Sequence, residues 1–385
     1  MRIRHDEALE TYNALIKVTE NTNNTLLRVK AMNGICNVSE SQGNYRLMLD
    51  YSKKADELAR GKSIENREFD VELSAALYYH GKALLRLGQS LESQKFAQES
   101  LAIARKIDAK KEMANALNLL GASHGYLGQF EHASKYFEDT LFIARQLGNR
   151  NLEAAILNNL GDIKCNNGDF EKATMLFKQA LDLCLATGMK DVRLMIMYNL
   201  GRALQETGDY VNAISAEKEV LFLSKDKKWQ LKPAVMAVLT IALARTGEVK
   251  EAIETIKKSI EAAEESGNTE NIGNAWRAAG CLASVLGNES LDIELDGNLV
   301  SKERITSSAA LSTDNCFKIA IDVFQKAGYE TETAATLVRY AEYKDQKGDA
   351  EAKGKLLSEA LGIFESVGAA SWVERLETKV QHGGR

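Results

Sequence analysis

Apolar residues recur with a helical period along most of the chain. Segments 152–166 and 170–185 show the pattern well, because each repeats apolar residues three and four positions apart. Gly168 lies between them, where a tight turn between antiparallel helices needs a residue that tolerates unusual backbone angles. We therefore predict a helix–turn–helix unit here. The single proline among 385 residues agrees with a mostly helical chain, since proline breaks helix interiors.

The same unit recurs at a fixed distance. Gly121, Gly161 and Gly201 are each 40 residues apart. The turn glycines follow the same period at Gly88, Gly128, Gly168 and Gly208, and continue at Gly247 and Gly287. A period of this size is typical of solenoids built from stacked helix pairs. We count eight units, whose first helices are predicted to start near Thr25, Glu68, Lys111, Asn151, Asp191, Leu231, Glu270 and Thr331.

Two kinds of glycine are distinguished by their place in the unit. Gly121, Gly161 and Gly201 lie inside first helices, where glycine costs about 1 kcal/mol relative to alanine. A helix accepts that cost where a neighbour must pack close to its backbone. The turn glycines are followed at three places by an aspartate that can cap the next helix, namely Asp169, Asp209 and Asp349.

These residues resemble the tetratricopeptide repeat family. The matching positions are Leu160–Gly161 in the first helix, Gly168–Asp169 at the turn, and Ala173, Phe177 and Ala180 in the second helix. The 40-residue period is similar to that of the Leu-Gly-Asn repeat adaptors, the kinesin light chains, and the MalT-like and Rap-type sensors. The resemblance implies an all-α fold, a right-handed superhelical α-solenoid of about eight helix–turn–helix units with a C-terminal capping helix.

The resemblance extends over nearly the whole chain, so we expect one solenoid domain over residues 1–385. Residues 1–20 resemble the second helix of a unit, either as an N-terminal cap or because the chain begins partway through a longer protein. Residues 370–381 are predicted to form the capping helix, with Trp372 and Leu376 facing inward.

The seventh unit contains an insertion, predicted at residues 288–313. Within it, Asp292–Glu303 nearly fits a calcium-binding EF-hand loop, with carboxylates at the first, third, fifth and twelfth places and Gly297 at the sixth. The same stretch alternates apolar and polar residues, and Asp296-Gly297 is a common hairpin turn. A calcium loop, a hairpin and a disordered loop all remain open, and we expect no metal site elsewhere.

Charge and cysteine usage narrow the functional classes. The net charge is −5 and no dense run of Lys or Arg appears, which argues against a nucleic-acid partner. No apolar stretch has the length of a membrane span. The five cysteines are widely spread without a CxxC pair, a pattern typical of reduced intracellular thiols. We therefore expect a cytoplasmic protein without a membrane partner.

No catalytic constellation is evident, and we predict no enzyme activity and no cofactor. The stretch GDAEAKGKL lacks P-loop spacing, and the five histidines form no HExxH motif. His124 and His132 straddle the turn at Gly128, so we do not expect them to share a site.

The first helices of tetratricopeptide proteins line the concave face, and the resemblance implies that polar residues there bind a ligand. Amides could hold an extended peptide backbone, and arginines could hold carboxylates. Helical spacing places the following candidates on that face, which we expect to be open to solvent: Asn33, Asn37, Tyr78, Lys82, Asn118, Asn158, Asp162, Tyr198, Arg202 and Arg277.

Two functions are consistent with this surface. The first is a non-catalytic scaffold that binds a peptide or protein segment on the concave face. The second is a ligand-sensing regulatory domain of a larger signalling or transcriptional-regulator protein. The sequence does not identify the partner, the organism or the oligomeric state.

Overall fold

A computed structural model describes residues 2–62, 66–227, 229–287, 290–291 and 311–382. The chain divides into two compact units, Met1–Leu160 and Gly161–Arg385, and the division falls within one helix. The expectation of a single domain over residues 1–385 stays a prediction.

Unit 1 contains seven complete helices among its described residues and the start of an eighth. They are α1 (Arg2–Asn21), α2 (Thr25–Ser41), α3 (Tyr45–Arg60), α4 (Arg67–Arg86), α5 (Ser90–Lys106), α6 (Lys110–Tyr126), α7 (Phe130–Gln146) and α8 (Arg150–Asn167). From α1 to α7 each helix packs against the next, and α2, α4 and α6 also contact one another in turn.

Unit 2 contains the end of α8 and ten further helices among its described residues. They are α9 (Phe170–Thr187), α10 (Lys190–Glu206), α11 (Tyr210–Leu223), α12 (Lys232–Thr246), α13 (Val249–Ser266), α14 (Thr269–Val285), α15 (Thr313–Lys326), α16 (Glu330–Gln346), α17 (Ala350–Ser366) and α18 (Ala370–His382). From α9 onward each helix packs on the next, and α10, α12, α14 and α16 contact one another in turn.

The predicted helix pairs are confirmed. Each of the eight first helices begins within one residue of its predicted start. At the turns, Gly168 has a φ of +92°, and the carboxylate of Asp169 accepts a hydrogen bond from the Lys172 amide at 3.4 Å. The equivalent caps at Asp209 and Asp349 also form. At these three turns the aspartate therefore caps the second helix where it begins.

Two short strands lie within the predicted insertion. Strand β1 (Ser290–Leu291) pairs antiparallel with β2 (Leu311–Ser312), and Ser290 lies opposite Ser312. The candidate calcium loop Asp292–Glu303 and the Asp296-Gly297 turn lie outside the described residues.

Close packing of a second helix on a first-helix glycine is confirmed in both units. A Cβ added to Gly121 would lie 2.7 Å from Cε1 of Phe137, and one added to Gly161 would lie 2.5 Å from Cε1 of Phe177. Both rings are buried, and Phe177 is fully so. The absence of a side chain at Gly121 and Gly161 therefore allows the two helices of each pair to approach closely.

The third member of this series breaks the pattern. Position 217, which follows Phe137 and Phe177 at the 40-residue period, holds a glutamate whose carboxyl group lies against Gly201. Glu217 is completely buried, and neither of its carboxyl oxygens has a hydrogen-bond partner among the described residues. Burial raises the pKa of Glu217 well above its usual value, and the charge of Arg202 only partly opposes this.

We expect Gly161→Ala to lower the free energy of unfolding by about 1–3 kcal/mol, because the added methyl group collides with the buried ring of Phe177. Urea unfolding followed by circular dichroism measures this change. Gly354→Ala is the matched control, since nothing lies within 4 Å of that helical glycine. There the better helix propensity should stabilise the protein by up to about 1 kcal/mol. Equal effects of the two substitutions would contradict the packing argument.

We expect Glu217 to make stability fall as pH rises. The folded protein holds the Glu217 proton more tightly than the unfolded chain does. Protonated Glu217 therefore contributes its full stabilisation below the unfolded pKa of about 4.3. This stabilisation is lost as the pH rises towards the raised pKa of the folded protein. Glu217→Gln removes this titration. As the pH rises above 5, the free energy of unfolding of the variant should therefore increase relative to that of wild type, by at most about 1.4 kcal/mol per pH unit.

Denaturant unfolding at a series of pH values tests the role of Glu217. Glu219→Gln on the same helix is the control, because the side chain of Glu219 is 46% exposed and already paired with Arg193. Parallel pH curves for wild type and Glu217→Gln would show that Glu217 is ionised in the folded protein.

Candidate functional site

In unit 1, two of the four candidate amides bridge neighbouring first helices. The Asn33 amide is buried and donates hydrogen bonds to the Glu72 backbone oxygen at 3.0 Å and to the Glu72 carboxylate at 2.8 Å. Asn118 accepts a hydrogen bond from Asn159 at 3.2 Å. Asn37 is exposed and Asn158 is half-buried. Asn33 and Asn118 therefore already bridge first helices.

The candidate cation of unit 1 is also neutralised inside the chain. Lys82 donates a hydrogen bond to the Tyr78 hydroxyl at 2.7 Å and forms an ion pair with Glu40. Burial alone would lower the pKa of Lys82, but Tyr78 and Glu40 outweigh it and raise the pKa above its usual value. Lys82 stays charged, with its charge balanced by Glu40.

Two of the histidines of unit 1, His124 and His132, lie close together. The rings of His124 and His132 stack with their centroids 5.4 Å apart, although the residues lie on opposite sides of the turn. Packing of α7 on α6 brings the two rings onto one surface, but stacking of two rings does not by itself form a shared site. Among the described residues of the chain, no three His, Cys, Asp or Glu side chains are placed to hold a metal ion.

In unit 2, charged side chains from four first helices meet. We call this set the inner charge cluster, and its members come from α8, α10, α14 and α16: Asp162, Arg202, Glu206, Arg277, Glu332 and Arg339. The cluster contains three of the predicted residues, Asp162, Arg202 and Arg277. The fourth predicted residue of this unit, Tyr198, is buried beneath Arg202.

Glu332 is the centre of this cluster. One carboxylate oxygen accepts a hydrogen bond from Arg202 at 3.1 Å, and the other accepts one from Arg277 at 2.5 Å. The side chain of Glu332 is 18% exposed, and those of Arg202 and Arg277 are 24% and 17% exposed. The arginines are therefore partly shielded and already paired, where the sequence suggested that they would be open to solvent.

Other groups hold each arginine in place. The Arg202 guanidinium lies 5.8 Å from the centre of the Tyr198 ring and 3.7 Å from the Asp162 carboxylate. The Arg277 guanidinium donates a hydrogen bond to the Asn274 side chain at 2.5 Å and lies 5.4 Å from the centre of the Phe324 ring. Contacts of this kind restrict both guanidinium groups without using Glu332.

The carboxyl groups of the cluster differ in their tendency to ionise. For Glu332, burial alone would raise the pKa, but Arg277 and Arg202 outweigh it and hold the pKa below its usual value. For Asp162, burial dominates and raises the pKa despite Arg202. Burial likewise raises the pKa of the nearby Glu270. Glu332 is thus the ionised carboxylate that balances the charge of the two arginines.

Arg339 forms a second, separate pairing. It donates hydrogen bonds to Glu206 on α10 and, at 3.1 Å, to Glu342 on its own helix. The negative charge of Glu206 raises the pKa of Arg339, burial acts in the opposite direction, and with the help of Glu342 the pKa stays raised. Glu206 and Arg339 were missed from the sequence. Glu206 could have been found, since it lies one helical turn after Arg202 on the same face.

Apolar and aromatic residues surround the cluster. They leave a cavity of about 70 Å³ for water-sized molecules, lined in part by Tyr198, Ile241, Phe170, Trp372, Cys165 and Cys281. Such a volume holds only a few waters. Burial raises the pKa of the Cys281 thiol to about 11, and it raises that of Cys165 as well.

The C-terminal helix α18 packs against the turn between α8 and α9. Trp372 contacts Gly168, where any Cβ would meet its ring at 2.9 Å, and stacks on Phe364 with centroids 4.7 Å apart. Arg375 covers the Phe170 ring at 5.0 Å, and Asn167 donates a hydrogen bond to Ser371 at 3.2 Å. Trp372 thereby links helix α18 to one edge of the cavity.

Comparison with known proteins identifies the repeat. The sequence profile of the tetratricopeptide repeat matches residues 72–146 and 152–225. No curated protein sequence matches the chain significantly. None of the described helices combines the length and apolar character that a membrane span requires.

Solved structures resemble nearly the whole chain. A Rap protein complexed with competence and sporulation factor is 13% identical, with a TM-score of 0.63 over 96% of this chain and 99% of its own. Aspartyl phosphate phosphatase F from Bacillus subtilis is 12% identical, with a TM-score of 0.61 over 93% of both chains. The quorum sensor NprR from B. thuringiensis is 11% identical, with a TM-score of 0.59 over 93% of this chain and 98% of its own. Such low identities establish a shared fold only.

We expect Trp372→Ala to loosen the contact between α18 and the α8–α9 turn. Removing a buried Trp that stacks on Phe364 and touches Gly168 should cost about 3–5 kcal/mol of stability. Hydrogen exchange measured by mass spectrometry should show faster exchange in α18 and around residues 165–170. Peptides from α5 serve as the internal control and should keep their protection. Unchanged exchange in α18 would contradict the role given to Trp372.

Proposed function

We propose that the chain, whose residues 72–146 and 152–225 match the tetratricopeptide repeat, binds a peptide or protein segment through the polar faces of its first helices. The observation that carries the proposal is the convergence of Arg202 and Arg277, from two separate helices, on one carboxylate. Two guanidinium groups that meet at one carboxylate would bind an acidic group of a peptide by charge-assisted hydrogen bonds. In unit 1, the exposed amide of Asn37 would supply hydrogen bonds to a peptide backbone.

We propose that this role is non-catalytic. The thiols lining the cavity are poor nucleophiles, because burial raises their pKa, to about 11 for Cys281. The structural neighbour named as a phosphatase is only 12% identical, so its activity does not carry over. The proposal also includes a cytoplasmic location and no nucleic-acid partner, supported by the free cysteines and the net charge of −5.

A second candidate function is a ligand-sensing regulatory domain. It is favoured by the neighbours, since one is named as a complex with competence and sporulation factor and another as a quorum sensor. In a sensor, the ligand would change contacts among the first helices. A scaffold, in contrast, would display a fixed surface to its partner.

Affinity capture from the source lysate, followed by mass spectrometry, tests the binding function. We expect Arg202→Ala/Arg277→Ala to lose at least one partner that wild type retains, because the variant removes both carboxylate-binding guanidinium groups. The control is Lys218→Ala/Glu251→Ala, which removes an ion pair whose members are 43% and 46% exposed in unit 2. Circular dichroism verifies that helicity is unchanged. Equal capture by wild type and both variants would exclude this surface as the binding site.

A further inference from the structure

Glu332 has the position that a bound ligand would be expected to take. It reaches two arginines from helices 130 and 55 residues away in sequence, and both of its oxygens are used. Among the described residues, the hydrogen bonds and ion pairs of its side chain go only to these two arginines. Glu332 lies in the first turn of α16 with 18% of its side chain exposed. A change of side-chain rotamer would therefore carry it towards solvent.

Contacts with residues other than Glu332 also hold the two arginines in position. Tyr198 and Asp162 hold Arg202, while Asn274 and Phe324 hold Arg277. A site whose donors are fixed in advance loses little freedom when an anion binds. Asp162 and Glu270 compensate poorly for the lost charge, because burial raises the pKa of both carboxyl groups.

From this geometry we propose that Glu332 is an internal ligand, which fills a carboxylate-binding site formed by Arg202 and Arg277 until a carboxylate of the bound peptide replaces it. This inference rests on the proposed binding function and adds its regulation and the class of ligand. The ligand group is a carboxylate, either an acidic side chain or the end of a peptide chain. Exchange frees Glu332 on α16, so binding alters the link between α16 and the two helices α10 and α14.

Competition with Glu332 has a measurable consequence. A ligand that must displace an internal group binds more weakly, because its apparent affinity is its intrinsic affinity multiplied by the fraction of molecules in which the site is free. Removing the Glu332 carboxylate should therefore strengthen binding of small carboxylates to the arginine pair. Removing one arginine as well should abolish that gain.

The first test uses acetate as the probe and acetamide as its neutral control, at constant ionic strength and pH 7. We expect Glu332→Ala to unfold at a lower temperature than wild type and to recover by roughly 3 °C in acetate at ten times its Kd. Acetamide should give no recovery. Wild type, Glu332→Ala/Arg277→Ala and the exposed-pair control Glu251→Ala should not respond to acetate. Equal responses of Glu332→Ala to acetate and acetamide would overturn the proposal.

Two short peptides distinguish the sources of the carboxylate. Acetyl-Ala-Glu-Ala-amide offers only a side-chain carboxylate, and acetyl-Ala-Ala-Ala with a free carboxyl end offers only a terminal one. We expect at least one of them to bind Glu332→Ala at least tenfold more tightly than wild type in calorimetry. Equal affinity for wild type and variant, or no binding of either peptide, would overturn the proposal.

If Glu332→Ala does not fold, Glu332→Gln allows the same comparison, because it keeps the shape of the side chain and removes its charge. The outcomes distinguish failure of this inference from failure of the proposed binding function. A response to acetate without partner capture would support the site and exclude the binding function. Partner capture without any response to acetate would support the binding function and exclude Glu332 as an internal ligand.

Discussion

The close approach of two helices within each repeat is the constraint on which the rest of the structure depends. Gly121 and Gly161 have no side chain, and the rings of Phe137 and Phe177 occupy the space that a Cβ would need. Burial of a ring directly against a helix backbone both stabilises the pair and fixes its spacing. One face of each first helix is used in this contact. The remaining faces contact the neighbouring first helices and carry the polar residues from which the inner charge cluster is built.

The α10–α11 pair satisfies this constraint differently, and the difference bears on function. Glu217 stands where the ring is expected, and its carboxyl oxygens lack partners among the described residues. A buried acid without hydrogen bonds stabilises a helix pair less than an aromatic ring does. The same helix, α10, carries Arg202 and Glu206. Elements that respond to ligands are commonly those with the lowest local stability, so this pair is well suited to move when the cluster rearranges.

The sequence predicts those features that depend on local spacing. Helix starts, turn glycines and caps are governed by contacts within a few residues, and the 40-residue period transfers them from one unit to the next. The period also contains the signal for Glu217, which aligns with Phe137 and Phe177. Arg202 and Arg277 could be assigned to the first-helix faces. Their partner Glu332 could not, because its position depends on the rotation accumulated over several units, which no local pattern records.

The unit 1 amides illustrate the same limit at shorter range. Helical spacing places Asn33 on the exposed side of α2, yet its amide bonds to Glu72 on the next first helix. A polar residue at the boundary between an exposed helix face and a helix–helix contact can either face solvent or bond to the neighbouring helix. A buried amide favours an internal acceptor when one is in reach, because an unpaired donor costs about 1–3 kcal/mol. Only the position of the neighbouring helix decides between the two.

The inner charge cluster contains two pairings that differ in how easily they can exchange. Arg339 has two carboxylates, Glu206 and Glu342, so it retains one partner if the other leaves. Arg202 and Arg277 share the single carboxylate of Glu332, and both lose it together. An incoming anion at this point replaces one carboxylate by another and leaves the charge balance unchanged, whereas a cation or a neutral group would deprive both arginines of the carboxylate that they share. The shared carboxylate thereby confines exchange to one place in the cluster and selects the sign of the ligand.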